Sequence, residues 1–382
     1  MIDLSLRIHA HPELSFQEVR ACGWLSDWLA GEGFTVERGL GSLPTAFRGE
    51  ARAAGGEGRV GFLAEYDAIP EYGHSCGHNV VAAAAVGAAA GVHAVLSEVG
   101  GAVVVLGTPA EEGGGGKNIL AREGFFTGLD AIMLIYPGMD NIAMSRLLAV
   151  TGLRFEFFGK AAHAAARPEL GVNALDALLL AFNGINALRQ QLRSDARIHG
   201  IIRAGGTLPM VIPDYTCAEV RVRANDTAYL EELVPRVIAC FQGAAEMTGA
   251  RLAHEWNRQR IARPLLSNQP LAAAFAANLT SLGRTVRDTD HLGGAWSGDT
   301  GNVSYLVPAI QPQVAMTDRV TPPHSHEFTA ASAGPAAHDC LIAAAKAMAM
   351  TALDVLATPS LREAIGQSFR RTTAHPGGED PR

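Results

Sequence analysis

The sequence predicts an α/β fold, a mainly parallel sheet flanked by helices, interrupted by an inserted α+β domain. Three observations predict it. Short apolar runs at Arg59 to Ala64, Ala102 to Leu106 and Ala131 to Tyr136 read as buried strands and alternate with helical patterns. Near Leu148 the texture changes to strands that alternate apolar and polar residues, as one-face-solvated strands do. At 382 residues and 40.1 kDa, the chain also exceeds the usual size of a single core.

Taken in order, Glu18 to Leu29 carries Ala21, Trp24, Leu25 and Trp28 at helical spacing. An alanine-rich stretch, Val80 to Leu96, separates the first two strand runs and reads as a buried helix, too weakly apolar and rather short for a membrane span. Two polar clusters, Glu65-Tyr66-Asp67 and Glu111-Glu112, follow strand runs directly. Ligands gather beyond the carboxyl ends of parallel strands, so chemistry is expected there. Leu153 to Phe158, Ala218 to Arg223 and Arg251 to Trp256 read as strands of the insertion, with helices over Ala174 to Arg193 and Glu231 to Met247. From Arg263 the α/β pattern resumes, with a helix over Ala331 to Met350. This divides the chain into a split domain, 1–147 and 263–382, around an insertion, 148–262. The polar stretch after Pro359 is expected to be a loose tail.

Hydrophobic residues at 48% and charged residues at 18% exclude global disorder. A formal charge of −7 argues against a nucleic-acid binder, which needs a basic face. Five scattered cysteines (Cys22, Cys76, Cys217, Cys240 and Cys340) form no disulfide framework and suit a reducing, cytoplasmic setting. The first residues lack the basic start and apolar run of a signal peptide.

Four elements carry chemistry. Ser75-Cys76-Gly77-His78-Asn79 offers a thiol and an imidazole two residues apart at a helix start, able to reach one divalent metal or a pair. Gly107-Thr108-Pro109-Ala110-Glu111-Glu112, followed by four glycines and Lys117, places two carboxylates at a strand end. One can bind metal while the other holds a water, the division of labour that metal-assisted hydrolysis requires. A phosphate loop is the rival reading. It fails because Glu111 stands where its first glycine is needed and Asn118 where a magnesium-binding Ser or Thr belongs. His163, in Gly159-Lys160-Ala161-Ala162-His163, and His324, in Pro322-Pro323-His324-Ser325-His326, complete the set. Taken singly, each is more often structural or solvated than functional.

Together these elements resemble metallopeptidase family twenty, in the branch near aminobenzoyl-glutamate hydrolase and the auxin-conjugate hydrolases. Glu65-Tyr66-Asp67-Ala68-Ile69-Pro70, Gly73 to Asn79 and Gly107 to Lys117 match its motifs. So do His11-Pro12-Glu13-Leu14-Ser15, Leu188 to Leu192, His199-Gly200-Ile201-Ile202 and Asp299 to Ser304. The resemblance, running from about Arg7 to Met350, implies a zinc-peptidase-like catalytic domain with an inserted lid and dimerisation domain. It implies Cys76 as a ligand bridging two metals, His78 as the terminal ligand of one, and Glu112 and His324 as ligands of the other. Glu111 would be the general base, and His163 would stabilise the oxyanion from the partner subunit of a homodimer. Arg223 would lie near the substrate. His199 is a further substrate-side candidate. His9, His11, His74, His291 and His326 are left as structural or surface residues, and Asp67 as a carboxylate that orients the metal site or closes a loop.

Two departures matter. Tyr136 occupies the usual histidine-ligand position, and a neutral phenol with a pKa of about 10 is a poor ligand. One firmly bound ion (manganese, zinc or cobalt) is therefore expected at Cys76, Glu112 and His324. Met210 replaces an asparagine that hydrogen-bonds at the active site, and it can pack on an apolar or aromatic substrate group. The expected function is metal-dependent hydrolysis of a small N-acyl amino acid, dipeptide or aryl amide. Hydrolytic deamination of an aromatic amine is the alternative within the enzyme class, and an inactive binding protein the alternative outside it.

Overall fold

A computed structural model describes residues 1–287, 296–317 and 321–374; His291 lies outside them. The chain divides into two compact units, Met1–Leu147 with Leu265–Arg382, and Leu148–Pro264.

The first unit opens with helices Ile2–Ala10 and Val19–Gly31, then strands β1 (Thr35–Leu40), β2 (Leu43–Ala53), β3 (Arg59–Ala64), β4 (Gly101–Gly107), β5 (Ala131–Met133) and β6 (Tyr136–Gly138). The second unit holds β7 (Ala149–Phe158), β8 (Arg197–Ala204), β9 (Tyr215–Ala224) and β10 (Arg251–Trp256). The chain returns to the first unit with β11 (Ala309–Ile310) and β12 (Gln313–Ala315). One six-stranded sheet runs in the order β1-β2-β4-β3-β5-β11. Its β4, β3, β5 and β11 are mutually parallel, whereas β2 is antiparallel to both β1 and β4. The β1–β2 hairpin was not foreseen, because Thr35–Leu40 is largely exposed and carries no apolar alternation.

Parallel strands demand covered faces, which explains why β4 is buried along its whole length. Helix His78–His93, so rich in alanine that it packs closely, lies against both β3 and helix Pro335–Ala357. The latter is long and apolar enough to cross a membrane by composition, yet it buries Cys340, Leu341, Met348 and Leu356 among others in the core of this unit.

The second unit is an antiparallel sheet in the order β10-β7-β9-β8, with helices Ala174–Leu188 and Thr227–Thr248 packed on one another and on the sheet. Asn173 caps the first helix by accepting from the Leu175 and Asp176 amides, and Asp226 caps the second through Tyr229. Phe155 and Phe157 from β7 stack against Phe241 in its core.

The stretch after Pro359 is not a loose tail through most of its length. Pro359–Ala374 is a helix. Proline suits a first helical turn, and Leu361, Ile365 and Ser368 fall at spacings of four and three on one face. Asn268 Nδ2 donates to the Ile365 carbonyl at 3.0 Å, and Arg362 donates to Val355 and Leu356 carbonyls. The polar composition of the stretch obscured a short stripe that needs only one side of a helix. Ile365→Ala, at a position 1% exposed, is expected to cost about 2–5 kcal/mol in urea unfolding; an unchanged midpoint would mean that the helix is not docked.

Candidate functional site

Two strand exits, a helix start and a loop meet at one edge of the first unit's sheet. β3 passes directly into Glu65, Tyr66 and Asp67, and parallel β4 into Thr108 through Glu112. The Thr108 amide donates to the Ala64 carbonyl at 2.8 Å, which holds the two exits in register. Cys76 and His78 come from the start of helix His78–His93, where Gly77 takes φ 72°. Any larger residue there would be strained, and its Cβ would stand 2.9 Å from the Pro137 ring. His324, at φ 62°, donates its amide to the Ser75 carbonyl at 3.1 Å, tying its loop to that of Cys76.

Donor atoms of Cys76, Glu112 and His324 lie within 4.8 Å of one another. His78, Glu111 and Glu112 form a second such group, and Glu65, Glu111 and Asp299 a third. Glu112 is the donor common to the first two. The reason lies in how His78 is held. Its Nδ1 faces the Asp67 carbonyl at 2.9 Å and carboxylate at 3.2 Å, which leaves Nε2 toward Glu65, Glu111 and Glu112 at 3.5, 4.0 and 3.9 Å. A carboxylate behind the imidazole is the arrangement that orients metal-binding histidines. Asp67 Oδ2 also accepts from Ser15 Oγ and from the Glu112 amide, so it organises both ligand loops.

The charge balance asks for a cation. Glu65, Asp67, Glu111, Glu112 and Asp299 converge on a single ammonium, Lys117, and on His78. Lys117 is fully buried, its Nζ 2.5 Å from both Glu65 Oε1 and Asp299 Oδ1. It is thereby neutralised and has no charge left for a phosphate. Burial, then Glu112, Glu65 and Asp299, push Glu111 well above the usual carboxylate range. Burial also raises Glu112, with Asp67 and Glu65 adding to it. Burial acts upward on Asp67 too, but the hydrogen bond and charge of His78 hold it low. Glu112 Oε1 is buried without a hydrogen-bond partner. Such an atom is costly unless a donor or a cation meets it, and thiol, imidazole and carboxylate together suit a divalent transition-metal ion. The residues fit a divalent ion.

Tyr136 is in hydrogen-bonding contact with Cys76, and burial, followed by the charges of Cys76 and Glu112, drives its pKa well above 10. It is a neutral phenol. With Trp296, Asp140 and Phe328 it borders a shallow, partly open pocket. Gly298 leaves room for Glu111, since a Cβ there would stand 2.8 Å from Glu111 Oε1.

The remaining candidates belong to the second unit, in two pairs. The segments of His163 and Met210 run together: the Ala164 amide donates to the Met210 carbonyl at 3.0 Å, and His163 bridges to Val211. His163 Nδ1 accepts from the Ala165 and Ala166 amides, which puts the proton of the neutral ring on Nε2. Arg223 Nε donates to His199 Nε2 at 3.3 Å, and burial followed by the Arg223 charge lowers the His199 pKa. Of the histidines set aside, His9, His11 and His74 bond the carbonyls of Thr329, Arg7 and Ile8, and His326 packs against Tyr72.

Sequence reasoning assigned no role to Glu65, Lys117, Asp299 or Glu18. Glu65 had a signal, since it opens the polar cluster after β3. The Lys117–Asp299 pairing, 182 residues apart in sequence, leaves no local trace.

Residues 149–246 match the family model described as Peptidase dimerisation domain. Over 388 residues the chain is 39% identical to the Xaa-Arg dipeptidase of Mus musculus, covering 96% of this chain and 88% of that protein. It is 30% identical to a p-aminobenzoyl-glutamate hydrolase chain of Escherichia coli, covering 97% and 92%. The YXEP protein of Bacillus subtilis, described as a dinuclear metal binding peptidase from M20 family, shares the fold at a TM-score of 0.69 and 21% identity, over 94% of this chain and 98% of that one. A cluster of ligand-type residues on this scaffold, with relatives aligned along nearly the whole chain, has one reading: the chain belongs to metallopeptidase family M20 and is a hydrolytic enzyme of the metallopeptidase type.

Proposed function

We propose that the enzyme is a dipeptidase or N-acyl amino acid hydrolase with one firmly held divalent ion at Cys76, Glu112 and His324, and Glu111 as general base. The observation that carries this is the buried, unpartnered Glu112 oxygen among those donors, with Glu111 beside it. Bound there, manganese, zinc or cobalt would polarise the scissile carbonyl and make water easier to deprotonate. Glu111, whose proton affinity is raised by burial, takes the proton from the attacking water and returns it to the departing amine. Lys117 keeps Glu65 and Asp299 neutralised behind it, so that their repulsion does not displace the base.

His163, reaching in from the partner subunit of a homodimer, donates Nε2–H to the carbonyl oxygen as negative charge develops there. The match to a dimerisation domain over 149–246 supports that assembly. Arg223, with His199 beside it, receives the carboxylate of the substrate, and Met210 offers an apolar contact. A dipeptide is favoured as substrate, because the relative named a dipeptidase shares 39% of its residues against 30% for the aminobenzoyl-glutamate hydrolase. A mass-spectrometric screen of Xaa-Arg dipeptides, N-acyl amino acids and aminobenzoyl conjugates tests the substrate class; turnover of none of them refutes it.

Metal-stripped protein is expected to take up one tight equivalent in calorimetric titration, and Tyr136→His to raise this to two. Two tight equivalents in the unsubstituted protein would contradict the single-ion reading.

Glu111→Gln should lower kcat by about 10²- to 10⁴-fold with KM little changed. His163→Ala should also be inactive on its own. Mixed dimers of these two variants should regain one working site, which pairs an intact Glu111 with an intact His163 from the opposite protomer. Absence of complementation would show that the histidine does not act across the dimer.

A further inference from the structure

We propose that Glu18 is a positioning residue for the Glu111–Glu112 pair: its buried carboxylate holds the Ala110 backbone in the left-handed conformation from which both glutamates enter the site. The inference rests on the functional reading above.

Glu18 immediately precedes helix Val19–Gly31 but its side chain makes no capping bond to that helix. It turns inward and is 0% exposed. Oε1 accepts from two backbone amides, Phe16 at 2.9 Å and Ala110 at 2.8 Å, and Oε2 accepts from Thr45 Oγ1 at 3.0 Å. Phe16 at φ 67° and Ala110 at φ 61° are both non-glycine residues in the left-handed region. Non-glycine residues persist there only where their surroundings over-determine them. One oxygen therefore fixes two unfavourable backbone positions, and the second of them directly precedes Glu111. The Ala110 carbonyl in turn accepts from the Gly114 and Gly115 amides at 3.0 and 2.8 Å, which closes the turn that carries Glu111 and Glu112.

Among the described residues no cation pairs with Glu18. A buried carboxylate without a counter-ion detracts from stability, and burial pushes this one up to about 7 against the hydrogen bonds that lower it. A side chain serving packing alone would be better replaced by an apolar one. The clamp does not depend on ionisation, since Oε1 accepts both amides in either state and the Thr45 hydroxyl can donate or accept. A glutamine can reproduce that pattern. An aspartate, shorter by one methylene, cannot span both amides.

Steady-state kinetics on the best dipeptide of the screen, together with cobalt titration of the metal-stripped protein followed by its visible absorption, test the inference. Glu18→Ala is expected to lower kcat roughly a hundredfold with KM little changed, and to weaken cobalt binding. Glu18→Gln should keep most of both properties, and Glu18→Asp should fall between. Adding Ala110→Gly to Glu18→Ala should restore kcat roughly tenfold, because glycine adopts positive φ freely. Thr45→Val, which removes only the third hydrogen bond, should lower Tm and leave kcat and cobalt affinity unchanged. If Glu18→Ala does not fold, the Asp and Gln variants carry the comparison. Folded Ala or Asp variants with unaltered kcat and cobalt affinity would overturn the positioning role while an inert Glu111→Gln left the functional reading standing. A fully active Glu111→Gln would bring down both.

Discussion

Five carboxylates gathered at one sheet edge around a single buried ammonium set the terms for the rest of the first unit. Like charges at such spacing repel strongly once water is excluded. The surrounding structure answers in three ways. Lys117 occupies the gap between Glu65 and Asp299, His78 is bound to Asp67, and the remaining acids are left with raised pKa values and an open oxygen on Glu112. What is left over is a place for a cation, defined by electrostatics as much as by ligand geometry.

Holding that concentration of charge requires a backbone more constrained than the sheet alone provides. Parallel pairing of β3 and β4 delivers Glu65–Asp67 and Glu111–Glu112 to the same edge. The final orientation depends on local departures from regular conformation. Ala110 and His324 have positive φ, and each is tied by a hydrogen bond to a segment distant in sequence. Strain of this kind is characteristic of functional sites, where neighbouring structure stabilises what the local chain disfavours. Asp67 belongs to the same design, because one carboxylate anchors Ser15, the Glu112 amide and His78 together.

The second unit solves a different problem. Its antiparallel sheet needs only one covered face, which the two capped helices provide. Polar groups can then sit on strands and loops without burial cost. His163 and Met210 share one pair of adjacent segments, and Arg223 on β9 is hydrogen-bonded to His199, its diagonal neighbour on β8.

Much of this was legible in the linear sequence because it has local causes. Apolar runs ended where polar clusters began, so the strand ends that carry Glu65, Asp67, Glu111 and Glu112 could be read from composition alone, and the change to alternating strands near Leu148 marked the second unit. Cys76, His78 and the glutamate pair stood out because ligand-type residues were closely spaced. Tertiary structure alone decided what depends on proximity without sequence proximity. Lys117 meets Asp299 across 182 residues, and Glu18 meets Ala110 across 92. Exposed β1 is specified by the strand it pairs with and carries no apolar alternation of its own, whereas in the helix Pro359–Ala374 a polar composition masks an apolar stripe on one face. Secondary structure follows from patterns along the chain; a buried charge finds its partner only once the chain has folded.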